Sequence, residues 1–218
     1  MTRTISRQGN LSTVFSVASD KEMHALMAAL CVLFEDLRIE LSGQVEDNLL
    51  RMDECGKEGR RFYFLRRSIA TLYEFSEVIQ ELDGLEAFQR IKAGFDDEVG
   101  KHWSNSVRYF KGQHGYIARL RNNVGGHFGK SAAKVALANL MPDASGGLEV
   151  TFTDRGGGAK LFFAHEIAAT GALGQVPAAS IQAKSKKLVR RALVAYRKAT
   201  WAVDCIAVAY LWDRFGRV

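Results

Sequence analysis

Two stripes of apolar residues fix the kind of fold open to this chain. Met23, Leu26, Met27, Leu30, Phe34, Leu37 and Leu41 follow one another at steps of mainly three and four, the spacing that gathers side chains on one face of an α-helix. Phe62, Leu65, Ile69, Leu72, Phe75, Ile79 and Leu82 repeat the pattern. A helix of about five turns with one apolar face cannot bury that face alone. It must lie against other helices, so the sequence calls for a helical bundle.

The punctuation around these stripes sets expected boundaries. Ser19-Asp20-Lys21-Glu22 reads as a capping box at the start of the first long helix, with Ser19 satisfying an exposed N–H. Ser42-Gly43 is its expected end, and Asp83-Gly84 stops the second. A shorter helix is expected over 85–92, and another from 96 to about 124 with Gly112 or Gly115 as places for a break. Residues 128–140 add further helical turns before Met141-Pro142.

The period then changes. Leu148, Val150 and Phe152 alternate with Glu149, Thr151 and Thr153, and Leu161-Phe162-Phe163 follows after Gly156-Gly157-Gly158. Period two around a glycine-rich turn predicts a β-hairpin over 148–164. Residues 170–179 have loop composition, and 180–215, free of proline, reads as one long C-terminal helix. Residues 1–18 lack a period and read as an extended or loosely attached lead-in. The expected fold class is therefore mainly α. A single helical domain covers 1–218, with one small hairpin inserted before the last helix and no internal repeat.

Composition narrows the function classes. An apolar share of 47% beside 25% charged residues is enough for a real core. The net charge of +6 favours an anionic partner. Cys31, Cys55 and Cys205 lie far apart, with no C-x-x-C pair, which argues against a disulfide framework and against a thiolate zinc site. Arg3 and Arg7 are followed by no apolar run of the secretory kind. The apolar stretch 199–212 is too short to span a bilayer and carries Asp204. His24, His102, His114, His127 and His165 show no metal-binding spacing. No metal, no cofactor and no membrane are expected, and a cytoplasmic, soluble protein is the simplest reading.

The stretch Arg119 to Ser131, RLRNNVGGHFGKS, invites two readings. A phosphate-cradling loop needs four residues between its outer glycines. Here only three separate Gly125 from Gly129, Val124 stands where the first glycine is needed, and the preceding residues are polar where a buried strand is required. Gly156-Gly157-Gly158-Ala159-Lys160 fails in the same way and is a hairpin tip.

The other reading is stronger. Arg121-Asn122-Asn123-Val124-Gly125-Gly126-His127 resembles the R-x(4–6)-H signature of the HEPN superfamily, including the polar residue directly after the arginine. The resemblance implies a helical bundle, a homodimer with a composite site, and metal-independent cleavage of RNA phosphodiesters. Toxin–antitoxin, phage-defence and RNA-processing systems are the implied settings, with an antitoxin or nucleotidyltransferase as partner. His127 would be general acid or base, Arg121 the phosphate stabiliser and Asn122 the orienting amide. The alternative within the resemblance is a catalytically silent module that binds RNA, a nucleotide or a protein. The hairpin at 148–164 falls outside the basic bundle.

The residue types suit the chemistry. Histidine titrates near neutrality and moves protons, while arginine offers a permanent, forked cation to a phosphoryl group. On a straight helix, six steps leave Arg121 and His127 ~120° apart. They converge only if the helix ends or bends, and Gly125-Gly126 is a place for that.

RNA-binding candidates surround the motif. Arg119 lies two residues before Arg121; Arg108 and Lys111 stand among Trp103, Tyr109, Phe110, His114 and Tyr116, where aromatics can stack bases and cations track the backbone. The competing reading makes Trp103, Val107 and Phe110 core. Lys184, Lys186, Lys187, Arg190, Arg191, Arg197 and Lys198 load the last helix with positive charge. Further on, Trp201, Val203, Ile206, Val208, Tyr210, Leu211 and Trp212 make it apolar on more than one side, as deep burial or a dimer face requires.

Overall fold

The computed structural model describes residues 7, 11–15, 20–45, 54–122, 130–138, 140, 148–153, 156–161, 164, 167, 170, 181–212 and 214–215. The chain is mainly helical. In order, α1 is Leu11–Val14, α2 Lys21–Val45, α3 Glu54–Gly84, α4 Glu86–Lys92, α5 Asp97–Leu120 and α6 Lys130–Ala138. Strands β1 (Leu148–Thr153) and β2 (Gly156–Leu161) pair antiparallel, with Leu148 opposite Leu161 and Thr153 opposite Gly156. Helix α7 is Ile181–Ile206, and its winding passes into a π-helical turn over Ala207–Leu211. No helix among the described residues is long and apolar enough to cross a membrane.

The residues divide into two compact units. One comprises Met1–Glu35, Glu74–His114 and Val194–Val218; the other comprises Asp36–Tyr73 and Gly115–Leu193.

In the first unit the stripe residues Met23, Met27 and Leu30 of α2 and Phe75, Ile79 and Leu82 of α3 are buried, together with Phe88, Trp103 and Phe110. Phe75 packs on Phe110 with ring centroids 5.1 Å apart, and Phe88 on Trp103 at 4.6 Å. Helix α7 joins through Tyr196, stacked on Phe34 at 5.7 Å. The aromatic run on α5 is therefore core at Trp103 and Phe110, as helical spacing of aromatics suggests.

The stretch expected to be a loose lead-in carries specific contacts at its described residues. Val14 is buried and its carbonyl accepts a hydrogen bond from Arg214 at 3.0 Å. Arg7 lies over the Trp212 ring, 3.9 Å from its centroid, and donates to the Trp212 carbonyl. Phe15 meets the buried His24 edge-on, and His24 Nε2 lies 2.6 Å from the Tyr210 hydroxyl. The cause is the apolar and aromatic tail of α7, which offers these residues a surface.

In the second unit Ile69, Leu120 and Leu188 form a buried cluster from α3, α5 and α7, with Leu65 and Tyr116 packed against it. Here α2 runs past its expected end at Ser42-Gly43 to Val45. The Ser42 hydroxyl bonds back to the Ile39 carbonyl at 2.9 Å. Gly43 is buried, and a Cβ at that position would lie 2.6 Å from the Phe64 ring. This glycine serves close approach of α2 to α3, not termination.

Helix α5 shows a second departure. It runs unbroken through Gly112 and Gly115, each costing about 1 kcal/mol relative to alanine. Phe110, Ile117 and Leu120 on either side are buried, and that packing outweighs the two glycines. The capping residue Ser19 and the loop 170–179, apart from Thr170, lie outside the described residues.

Candidate functional site

Leu120, the last α-helical residue of α5, is anchored in the second unit's core. Immediately after it, Arg121 and Asn122 adopt π-helical winding, a local change that recurs at functional sites. Arg121 is half-buried and Asn122 exposed. The Arg121 guanidinium lies over the Tyr73 ring, 4.7 Å from its centroid. Tyr73, half-buried, stands one helical turn after the buried Ile69 on α3. His127 and the glycines Gly125 and Gly126 lie outside the described residues.

A second pair repeats the arrangement. Arg191 of α7 lies over Tyr116 of α5, 4.1 Å from the ring centroid. Tyr116 packs against the same cluster, one turn before Leu120. Its hydroxyl is buried and has no hydrogen-bond partner among the described residues. A guanidinium over an aromatic ring gains cation–π attraction, and its planar fork matches the geometry of a phosphate.

The remaining candidates are distributed between the units. Arg119 and Arg190 are exposed in the second unit, where Lys187 is half-buried. Arg108 and Lys111 are exposed in the first unit. Arg119, Arg121, Lys187, Arg190 and Arg191 thus share a unit.

Sequence reasoning named Tyr116 only as an aromatic near the motif and missed Tyr73, although Tyr73 sits four residues after the stripe residue Ile69, the register of a half-buried side chain. It also missed Glu40. That carboxylate follows Leu37 by three residues, on the apolar stripe of α2, where a charge is out of place. Its side chain is 9% exposed. Burial pushes its pKa up to about 7, with Asp36 adding to the effect and Thr71, Arg67 and Ser68 opposing it.

The first unit holds a cleft of about 330 Å³ lined by Asp96, Glu98, Val99, His102, Trp201, Asp204, Cys205 and Val208. His102 Nε2 lies 3.7 Å from Glu98, and its ring packs 4.6 Å from Trp201. Burial pushes the Cys205 thiol up to about 11, and its S–H bonds to the Val99 carbonyl at 3.4 Å. A neutral, hydrogen-bonded thiol is a poor nucleophile. Among the described residues, no three of His, Cys, Asp and Glu come together in a metal-binding group.

Comparison of the chain with protein-family models, with characterised proteins and with solved structures finds no match.

Proposed function

We propose that this chain is a HEPN-type helical bundle, with the 148–164 hairpin inserted, that cleaves RNA phosphodiesters without a metal ion. The observation that carries the reading is the placement of Arg121. The motif arginine sits where α5 changes its winding, half-buried over Tyr73. A stabiliser of phosphoryl charge needs a fixed position before the transition state forms, and the contact with the Tyr73 ring supports one.

In this reading His127 moves the proton, taking it from the ribose 2′-hydroxyl or giving it to the leaving 5′-oxygen. Arg121 neutralises charge building on the non-bridging oxygens, and Asn122, exposed beside it, orients the phosphate or the histidine. Arg119, Lys187, Arg190 and Arg191 belong to the same unit and supply the cationic track for the RNA backbone. Arg108 and Lys111, exposed in the first unit, are further contacts for the RNA backbone in this reading. The working form is a homodimer in the cytoplasm, with an antitoxin or nucleotidyltransferase partner in control.

The test is a cleavage assay on end-labelled RNA in the presence of a chelator. Cyclic or 3′-phosphate ends are expected. Arg121→Ala and His127→Ala should each abolish cutting while circular dichroism stays unchanged. Equal cutting by both variants and the parent would overturn the reading. Tight, salt-sensitive RNA binding without cutting would replace it with the silent binding module.

A further inference from the structure

A buried carboxyl group that the RNA-cleaving reading does not use stands between α2 and α3. Glu40 Oε1 lies 2.9 Å from the Thr71 hydroxyl oxygen. The same hydroxyl oxygen lies 3.2 Å from the Arg67 carbonyl, one turn earlier on α3. A threonine hydroxyl has a single proton to give. If Thr71 donates to the Arg67 carbonyl, as hydroxyls in helices commonly do, it has no proton left for Glu40. Two oxygens at 2.9 Å still need a proton between them, and the only other source is the acid itself.

The second carboxyl oxygen points to the same state. Glu40 Oε2 is buried and has no hydrogen-bond partner among the described residues. An unpaired neutral carbonyl oxygen in such a place costs far less than half of an unpaired carboxylate. Two charged groups act on the site. Arg67 of α3 has its Nε 3.7 Å from Oε1 on a side chain that is 56% exposed, and Asp36 stands one turn earlier on α2. The exposed arginine is too solvated to hold the buried charge by itself.

We propose that Glu40 is a proton-carrying switch between α2 and α3: a neutral acid that donates from Oε1 to Thr71, and that on losing its proton becomes a carboxylate accepting a hydrogen bond from the Thr71 hydroxyl and pairing with Arg67. The proton leaves to solvent. The Thr71 hydroxyl rotates from the Arg67 carbonyl to Oε1, so that carbonyl loses its side-chain bond. The helix pair therefore exists in two hydrogen-bonded arrangements, and pH selects between them. The direction of its titration agrees, since burial raises Glu40 from 4.5 to about 7.

The sign follows. A carboxyl raised in the folded state stabilises the fold fully at low pH, and that contribution is lost as pH rises. From this group alone, the folding equilibrium constant should fall by about two orders of magnitude between pH 5 and pH 9.

The experiment is a pH titration of the full chain carrying carbon-13 in its glutamate carboxyls, read by NMR. One carboxyl, absent from the spectrum of Glu40→Gln, should titrate near neutrality. Glu40→Gln keeps a donor for Thr71 and cannot ionise, so its unfolding free energy should lack the alkaline fall seen in the parent. Arg67→Gln should move the Glu40 midpoint higher still. A Glu40 midpoint in the ordinary carboxylate range, an alkaline fall unchanged in Glu40→Gln, or a lower midpoint in Arg67→Gln would each overturn the proposal.

Discussion

The indole N–H of Trp103 donates to Asp83 Oδ1 over 2.7 Å, and that one oxygen also takes Lys92 Nζ at 2.8 Å. Trp103 is wholly buried, so its polar atom must find a partner inside the protein. Asp83, at the end of α3, thereby ties α3 to both α4 and α5.

Removing that carboxylate leaves the indole N–H unsatisfied. Asp83→Ala should cost about 2 kcal/mol in urea unfolding. Asp83→Asn retains an acceptor and should cost less than half as much. An alanine variant as stable as the parent would mean that Trp103 does not depend on this bond.

His24 makes the first unit sensitive to acid. Burial, with Arg214 next in weight, holds its pKa below the ordinary 6.5. The folded protein therefore binds fewer protons than the unfolded chain below that pH. The stabilising contribution is complete above 6.5 and is lost as pH falls toward the lowered folded value. His24→Gln should show a shallower fall in melting temperature on acidification than the parent, measured by calorimetry. Glu40 acts in the opposite sense, so the comparison is made as a difference between variant and parent at each pH.

Gly43→Ala places a methyl group where the Phe64 ring lies, 2.6 Å away. The ring must turn aside, and overpacking of this kind costs about 1–3 kcal/mol. Adding Phe64→Leu should recover part of the loss, giving a favourable coupling in a double-mutant cycle. Strict additivity of the two changes would show that the contact is not the cause.

Tyr73 should matter to RNA cleavage through Arg121. Tyr73→Phe keeps the ring face and should cut RNA like the parent. Tyr73→Leu removes the ring and about 1 kcal/mol of attraction to the cation, so kcat should fall about fivefold with KM little changed. A phenylalanine variant as impaired as the leucine one would assign the effect to the hydroxyl instead.

These residues also mark how far the sequence could be read. The stripes of α2 and α3 were legible because burial follows helical spacing: Met23, Met27, Leu30, Ile69, Phe75 and Ile79 are all buried. Trp103 and Phe110 were legible as core for the same reason. Spacing carries no information about which helix lies against which. The pairings of Tyr73 with Arg121, of Tyr116 with Arg191 and of Glu40 with Thr71 depend on that choice and stayed hidden. Gly43 was misread because a glycine that permits close approach looks, along one chain, like a glycine that ends a helix. Arg121 and Asn122 were named from a motif, and the setting of Arg121 on Tyr73 came from another helix altogether.

The contacts of Arg7 with Trp212 and of Val14 with Arg214 join residues 205 and 200 positions apart. On a ribosome adding about 5–20 residues per second, the early partners wait roughly 10–40 s for the late ones. For that interval the Val14 carbonyl lacks Arg214 and His24 lacks Tyr210, which leaves both groups open to solvent, to a chaperone or to another copy of the chain. Closure of this clasp is thus a late event of biosynthesis, timed by translation and not by the speed at which the helices form.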